Sequence, residues 1–551
     1  MEIIRNESFN SYVEKLGDYS SPFWKISKLL KSKPNTIPPL RVQVDTPLQF
    51  TPIEKANALG NCFARSHSLG STVVSPLENI VEQSVLNVDG SDCTVSLGQK
   101  ITLEQLRSAM KCTKNMKAPG FDGIFNLVLK KMSDRFFHLI SKIFNRCLEL
   151  SYFPTIWKTA KVIPILKPGK DPTTPSSYRP ISFLSSLSKL FERMLLNRLL
   201  DCVCRNDVLP PEQFGFRKGH STTHQSLRVI NIIKRNRLVS KSTTMALLDI
   251  EKAFDNVWHD GLVHKLVQAQ VPIYLTKIIR SYLQGRSFRV VLNGSQSDIL
   301  PITAGVPQGS LLGPILYNIF ASDLPELPVG CSLSLFADDS AIMVKGRMPR
   351  ELTNKLQQCL NIFVNYTTTW KIKINAAKTQ AIMFLHRQSP KLIPPADCRV
   401  SLENFVVAWS SEVRYLGVLL DSKLLFRLHV EGIRNRCAVL QKCLYPLINR
   451  NSRLSRSNKL AVYKQIIAPV IDYALPVWEM CAVTHKRKLQ VIQNRFLKMI
   501  FNLPFHTSTR VIHEQTGIKL IEQTIADFKQ KFQQKCELSE YPSIRGLYIV
   551  G

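Results

Sequence analysis

The chain reads as an α+β protein in which a small antiparallel sheet is assembled from separated strands and the C-terminal part is helical. Three observations carry this. Leu333-Ser-Leu-Phe-Ala-Asp338-Asp339-Ser-Ala-Ile-Met-Val344 sets two adjacent carboxylates between two short apolar arms, the pattern of a β-hairpin with Asp338 and Asp339 at its tip. Its first arm alternates Ser332, Leu333, Ser334 and Leu335, as a strand with one buried face does, and its second, Ala341 to Val344, is continuously apolar. A second strand, Met245 to Leu248, stands upstream and ends at Asp249, 89 residues before Asp338. Beyond residue 420, Ile433, Cys437, Leu440, Leu444 and Leu447 keep helical spacing.

The remaining elements follow in chain order. Residues 1 to about 100 include a polar stretch interrupted by Pro34, Pro38, Pro39 and Pro47, which predicts an extension or linker with short helices. A helix is expected near Thr102 to Cys112, and another on Phe136, Ile140, Ile143 and Cys147. Between residues 151 and 200 eight Lys or Arg stand against only Asp171 and Glu192. His220 and His224 have the spacing of a helix-borne metal pair, but no intervening Glu and no third ligand accompany them, so Ser221 is read as a helix cap instead. After Asp249, Glu251 is expected to be exposed, and Asp255 to cap a helix over His259 to Gln268 rather than bind metal. Ala304-Gly-Val-Pro307-Gln308-Gly309-Ser310-Leu-Leu-Gly313-Pro314 is a Gly/Pro loop opening an apolar helix. Gly309 lets backbone approach a ligand, and Gln308 offers an amide that donates and accepts. C-terminal helices should break at Pro446, Pro469, Pro476 and Pro504.

Like charges side by side persist most easily with a cation between them, and oxygen donors suit Mg²⁺ or Mn²⁺. If the Met245–Leu248 strand pairs beside the hairpin, Asp249 and Asp338 face each other, and two ions about 3.5–4 Å apart can be held between them, the arrangement of two-metal displacement at phosphorus.

Taken in order, the acid-ended strand, the Pro-Gln-Gly loop and the Asp-Asp hairpin resemble motifs A, B and C of reverse transcriptases. The likeness extends to Lys117-Ala-Pro-Gly120-Phe-Asp122-Gly123, Trp157 to Asp171, Tyr178-Arg179-Pro180-Ile181-Ser182 and Gln213-Phe-Gly215-Phe-Arg217-Lys-Gly219-His220-Ser221-Thr222. Downstream it includes Ile374-Asn375-Ala-Ala-Lys378-Thr379 and Val413-Arg414-Tyr415-Leu416-Gly417-Val418. The series resembles the polymerases of non-LTR (LINE-type) retrotransposons, and the jockey-like elements in particular. It is strong over residues 105 to 420 and weaker around Arg495.

The resemblance implies a right-hand fold of fingers, palm and thumb. The N-terminal extension would span 1–100, the fingers 101–239, the palm with its antiparallel sheet 240–420, and a helical thumb with the C-terminal region 421–551; the reverse transcriptase core would run from about 147 to 420. Asp249 and Asp338 are then implied as catalytic, metal-binding aspartates, with Asp339 beside them and the Ile250 carbonyl as a further ligand. Phe254 corresponds to the steric gate against a ribose 2′-hydroxyl. Gln308, with Gly309, corresponds to the nucleotide-contacting position, Lys378 to a charge or proton donor for pyrophosphate, and Lys161 and Arg179 to triphosphate ligands. The implied activity is RNA-directed DNA polymerisation from dNTPs, with two Mg²⁺ or Mn²⁺ ions, an element RNA as template and nicked DNA as primer and target. An RNA-dependent RNA polymerase would usually carry an aspartate in place of Phe254; a catalytically inactive RNA-binding relic is the other reading. Elements of this clade usually encode an apurinic-type endonuclease ahead of the polymerase. The hundred residues here are too few for one and neither end has a Cys/His knuckle, so target cleavage in cis is not expected.

Composition points the same way. With 73 Lys or Arg against 41 Asp or Glu, the net charge is +32, which attracts polyphosphate through counterion release. Residues 441–500 hold eleven Lys or Arg against Asp472 and Glu479, and Lys486, Arg487 and Lys488 form a compact cluster suited to a duplex backbone. No membrane span, lipid anchor or signal-peptide core is legible, and Gly169-Lys170 lacks the rest of a P-loop. Thirteen cysteines without regular spacing, Cys202-Val-Cys204 included, suit reduced thiols in nucleus and cytoplasm rather than a zinc site or a disulfide framework.

Overall fold

The computed structural model describes residues 37–42, 47–69, 75–92, 99–386 and 398–548. Pro34 and the N-terminal residues before 37 lie outside them. The central sheet forms because its three inner strands are short runs buried on both faces. Its order is the short strand Ala408–Trp409, then β9 (Gln380–Phe384), β3 (Ser242–Leu248), β8 (Asp339–Gly346) and β7 (Cys331–Phe336). β3 is antiparallel to both neighbours, with Leu248 opposite Ser340 and Leu247 opposite Gln380. Only Ala408–Trp409 runs parallel, along β9.

Alternate side chains leave this sheet on opposite sides, as the two-residue period requires. Ala246, Leu248, Ile342 and Val344 join a core shared with the helices His259–Gln268, Gly313–Phe320 and Pro349–Thr369. Met245, Ala341, Met343, Ile382 and Phe384 enter a second core with the helix Thr222–Leu238 and the C-terminal helices. Burial on both faces explains the unbroken apolar run of β8. It also corrects the reading of β7. Ser334 is fully buried, and Arg228 of the helix Thr222–Leu238 donates to its hydroxyl at 3.0 Å. A polar alternation here marks a buried hydrogen bond and not a solvated face.

A second sheet begins with β1 (Thr159–Leu166) and β2 (Tyr178–Phe183), antiparallel, and continues through β4 (Arg286–Leu292), which lies parallel to β1 and pairs with β5 (Ser295–Gln296) and β6 (Leu300–Ile302). This sheet therefore draws on both sides of the boundary expected at 239/240. The helix Pro52–Ala64 packs on it through Ala56, Leu59 and Phe63. The helix Glu78–Gly90 lies against His259–Gln268 and Ile273–Leu283. The two helices described before residue 100 are thus packed against the rest of the protein. Thr51 and Glu54 form a reciprocal capping box that starts the first of these helices.

Other expectations fare variably. Leu103–Lys111 is a helix capped by Thr102 and Gln105, one residue inside each expected end. Asp134–Glu149 buries Phe137, Ile140, Phe144 and Cys147, while Ile143 stays exposed. Its stripe is rotated because the partner is an aromatic cluster in which Phe144 stands 4.6 Å from Phe191 and 5.9 Å from Trp157. Arg427–Ile448 buries all five predicted residues and carries Pro446 in its last turn, so it ends two residues later than expected. Pro469 and Pro476 sit at the starts of short helices, and Pro504 follows the helix Val483–Phe501. Among the described residues no helix is long and apolar enough to cross a membrane, and the cysteines are free thiols.

Candidate active site

β3 and the β7–β8 hairpin bring the predicted acids to one end of the central sheet. The hairpin closes between Phe336 and Asp339, which leaves Ala337 and Asp338 as its tip, with Ala337 at φ +58°. Gln213 holds this turn by accepting from Gly215 N at 2.8 Å and Ala337 N at 2.9 Å. Gly215 lies so close beneath that an added Cβ would stand 2.2 Å from Ala337 N. Past β3, the Asp249 carbonyl accepts from Asn375 N at 2.7 Å and Glu251 N donates to Lys373 O at 2.8 Å. These two bonds tie the segment that follows β3 to residues 373–375 without using the Ile250 carbonyl.

Asp249, Ile250 and Asp338 line one cavity of about 400 Å³, together with Arg179, Phe254, Gln308 and Lys378. Lys378 Nζ is 3.1 Å from Asp249 Oδ2, with both side chains partly open to solvent. Burial raises the Asp338 carboxyl, the charge of Asp249 adds to this, and Arg179 opposes it. Asp339, the first residue of β8, stands off the cavity wall. The protein around it and the charges of Asp338 and Asp249 push its carboxyl up to about 6. Among the described residues no three His, Cys, Asp or Glu side chains are gathered closely enough to enclose a metal ion. The donors nevertheless suit a hard divalent cation in kind, because they are oxygens whose mutual repulsion a cation would relieve.

Phe254 is half-buried on the same wall. Its ring lies nearly parallel to Tyr317, with centroids 4.8 Å apart, and meets Phe216 edge-on at 5.8 Å. Gln308 O accepts from Ser182 N at 3.0 Å, and Gly309, at φ +118°, approaches Ser182 so closely that a Cβ would lie 2.4 Å from its carbonyl. Only glycine fits there without strain.

Several expectations need correcting. Asp255 does not cap the helix His259–Gln268, whose first cap position is Trp258; it is 5% exposed and accepts from Gln308 Nε2 at 2.7 Å. Glu251 is only half-exposed and stands 3.6 Å from Lys373. Lys161 sits within β1 opposite Phe183 and Arg289, off the cavity wall, whereas Lys167, just beyond that strand, is on it. Burial lowers the Lys167 pKa, and the neighbouring Arg179 and Lys378 charges add to this. Cys62, Phe63 and Ser66 complete the wall from the N-terminal helix and its end. Sequence reading missed that contribution although the Thr51/Glu54 capping box was available as a signal. Ser221 does cap the helix Thr222–Leu238 by accepting from His224 N at 3.2 Å; His220 precedes that helix, so the two histidines form no helix-borne pair. Lys486, Arg487 and Lys488 occupy the start of Val483–Phe501, with Arg487 exposed and Lys488 3.7 Å from Glu431.

Comparison with known proteins matches residues 165–420 to the family described as reverse transcriptase (RNA-dependent DNA polymerase). The chain is 32% identical over 547 residues to the "Probable RNA-directed DNA polymerase from transposon BS" of Drosophila melanogaster, covering 97% of this chain and 59% of that protein. It is 32% identical over 545 residues to the RNA-directed DNA polymerase from mobile element jockey of the same species, covering 96% and 58%. Identity to the jockey polymerase of Drosophila funebris is 35% over 445 residues, 79% of this chain and 48% of that one. The chain thus spans between about half and three-fifths of the length of these curated relatives.

Proposed function

We propose, from the match of residues 165–420 to the reverse transcriptase family and the likeness to the jockey polymerases, that this chain is the RNA-directed DNA polymerase of a non-LTR, jockey-like retrotransposon. It extends a DNA primer on an RNA template from dNTPs, with the element's own transcript as template and nicked target DNA as primer. The observation that carries this is the one cavity wall that Asp249 and Asp338 share with Lys167, Arg179, Lys378, Phe254 and Gln308.

In this reading the central sheet is the palm, the sheet of β1, β2 and β4 with its helices the fingers, and residues 421–551 a helical thumb with the C-terminal region. Asp249 and Asp338, with the Ile250 carbonyl and Asp339 alongside, would hold two divalent ions, Mg²⁺ or Mn²⁺, which when bound supply activation of the primer 3′-hydroxyl and neutralise charge at the leaving pyrophosphate. Arg179 and Lys167 bind the triphosphate; a guanidinium matches phosphate oxygens in pairs, and the lysine is a point charge. Gln308 and Gly309 line the nucleotide's place. Lys378, exposed and only 3.1 Å from Asp249, is placed to turn toward the departing pyrophosphate and give it a charge or proton. Phe254 excludes a ribose 2′-hydroxyl.

The test is extension of oligo(dT) on poly(rA) by the purified full chain with dTTP and Mg²⁺ or Mn²⁺. Template-dependent incorporation is expected; its absence with both ions, from protein that still binds RNA, overturns the proposal in favour of an inactive relic.

The thumb reading has its own test. Replacing Lys486, Arg487 and Lys488 together by Ala should flatten the dependence of log RNA–DNA duplex affinity on log salt by about 0.7–0.9 for each phosphate no longer neutralised. Because Lys488 is shared with Glu431, most of the change should come from Lys486 and Arg487. An unchanged slope would move the nucleic-acid face elsewhere.

A further inference from the structure

Asp255 is a buried acid on the wall of the cavity that Asp249 and Asp338 also line. Burying a carboxylate is costly unless something needs its charge. Its segment is bound to the loop that carries Gln308: Val306 N donates to Phe254 O at 2.7 Å and Gly305 N to Val257 O at 2.8 Å. The loop's main chain is fixed at two further points. Ser182 N donates to Gln308 O at 3.0 Å, and Leu311 N donates at 2.7 Å to Glu192, a fully buried carboxylate whose other oxygen accepts from Ser188 at 3.2 Å. These bonds place the backbone of Gln308 but leave its amide free to rotate by half a turn.

The bond from Gln308 Nε2 to Asp255 Oδ1, at 2.7 Å, decides that orientation. Burial raises the Asp255 carboxyl, and His67, the Gln308 hydrogen bond, Lys252 and Lys167 oppose it in favour of the carboxylate. A carboxylate only accepts, so it selects the nitrogen end of the carboxamide; a neutral Asn would pair with either end. His67, 7% exposed, closes the space behind Asp255, and its main-chain carbonyl accepts from Thr303 N at 3.1 Å and Ala304 N at 2.9 Å. The loop that carries Gln308 is therefore held from the segment of residues 47–69 as well.

We propose that Asp255 is a positioning residue for nucleotide binding, which locks the Gln308 carboxamide with its nitrogen inward and its oxygen and second amide hydrogen available to the incoming dNTP. This rests on the reading of the cavity as a nucleotide site. Without the lock, Gln308 spreads over orientations of which only some bind, so the cost falls on KM for dNTP and not on kcat.

The experiment is a double-mutant cycle in single-nucleotide extension by the full chain. Asp255→Asn should raise KM for dNTP by about tenfold with kcat within about threefold, and Gln308→Ala should do the same. The double variant should be no worse than Gln308→Ala within about twofold, because both changes remove one interaction. A KM for Asp255→Asn within about twofold of wild type, or effects that multiply, would overturn the proposal while wild-type extension keeps the polymerase reading intact. A wild-type chain that does not extend primers overturns both. If Asp255→Asn fails to fold by its melting transition, Asp255→Glu, which keeps an acceptor-only carboxylate, is compared with the isosteric Asp255→Gln, which does not. A KM for dNTP at least severalfold lower with the glutamate is expected, and equal KM values for the two variants overturn the assignment.

Discussion

Asp249→Asn and Asp338→Asn are each expected to lower the rate of single-nucleotide incorporation by about three orders of magnitude or more, while RNA affinity stays within about twofold. Asn keeps the size of the side chain and removes its charge, so the loss falls on divalent-ion affinity. With a net charge of +32, a change of one unit leaves the polyanion-binding surface almost intact. Asp339→Asn should cost less, because its side chain stands off the wall that Asp249 and Asp338 share. Rapid-quench incorporation at saturating Mg²⁺, with RNA binding measured on the same preparations, checks both halves. Retention of more than a few per cent of the wild-type rate by either of the first two variants would remove catalysis from these acids.

The acids were legible because their context is local. A strand that ends at Asp249 and a hairpin with Asp338 in its turn can be read in windows of a dozen residues, and the pairing of β3 with β8 needs only that two apolar runs share a sheet. The Pro-Gln-Gly loop is legible for the same reason, since Gly309 advertises a left-handed backbone at φ +118°.

What stayed hidden depends on interactions between distant segments. Lys161 and Lys167 are indistinguishable as isolated cations, and where β1 ends decides which one reaches the cavity. Asp255 has the composition of a cap, yet Gln308, 53 residues downstream, claims its carboxylate. Ser334 looks solvated until Arg228 arrives from another helix. The helix Pro52–Ala64 announced its start through Thr51 and Glu54, but nothing local says that it lies on a sheet whose strands come much later in the chain.

Phe254→Val or Phe254→Ala should raise the ratio of rNTP to dNTP incorporation, as relative kcat/KM, by clearly more than tenfold. Phe254 stands five residues after Asp249, where the chain has left β3 and lines the cavity. Its ring packs against Tyr317 at 4.8 Å and Phe216 at 5.8 Å, contacts that it would have to give up to swing aside for a bulkier sugar. Excluding a 2′-hydroxyl by such a fixed ring is worth more than about 1.4 kcal/mol, the equivalent of a tenfold change in discrimination, and Val or Ala removes the obstructing atoms. The same substitution strips packing from Tyr317, so stability should fall by about 1–3 kcal/mol and total activity with it. For that reason only the ratio is diagnostic, measured well below the melting temperature of the variant. A variant that folds, extends with dNTPs and still rejects rNTPs as wild type does would make Phe254 a packing residue alone, and the preference for deoxyribonucleotides would need another source in the cavity.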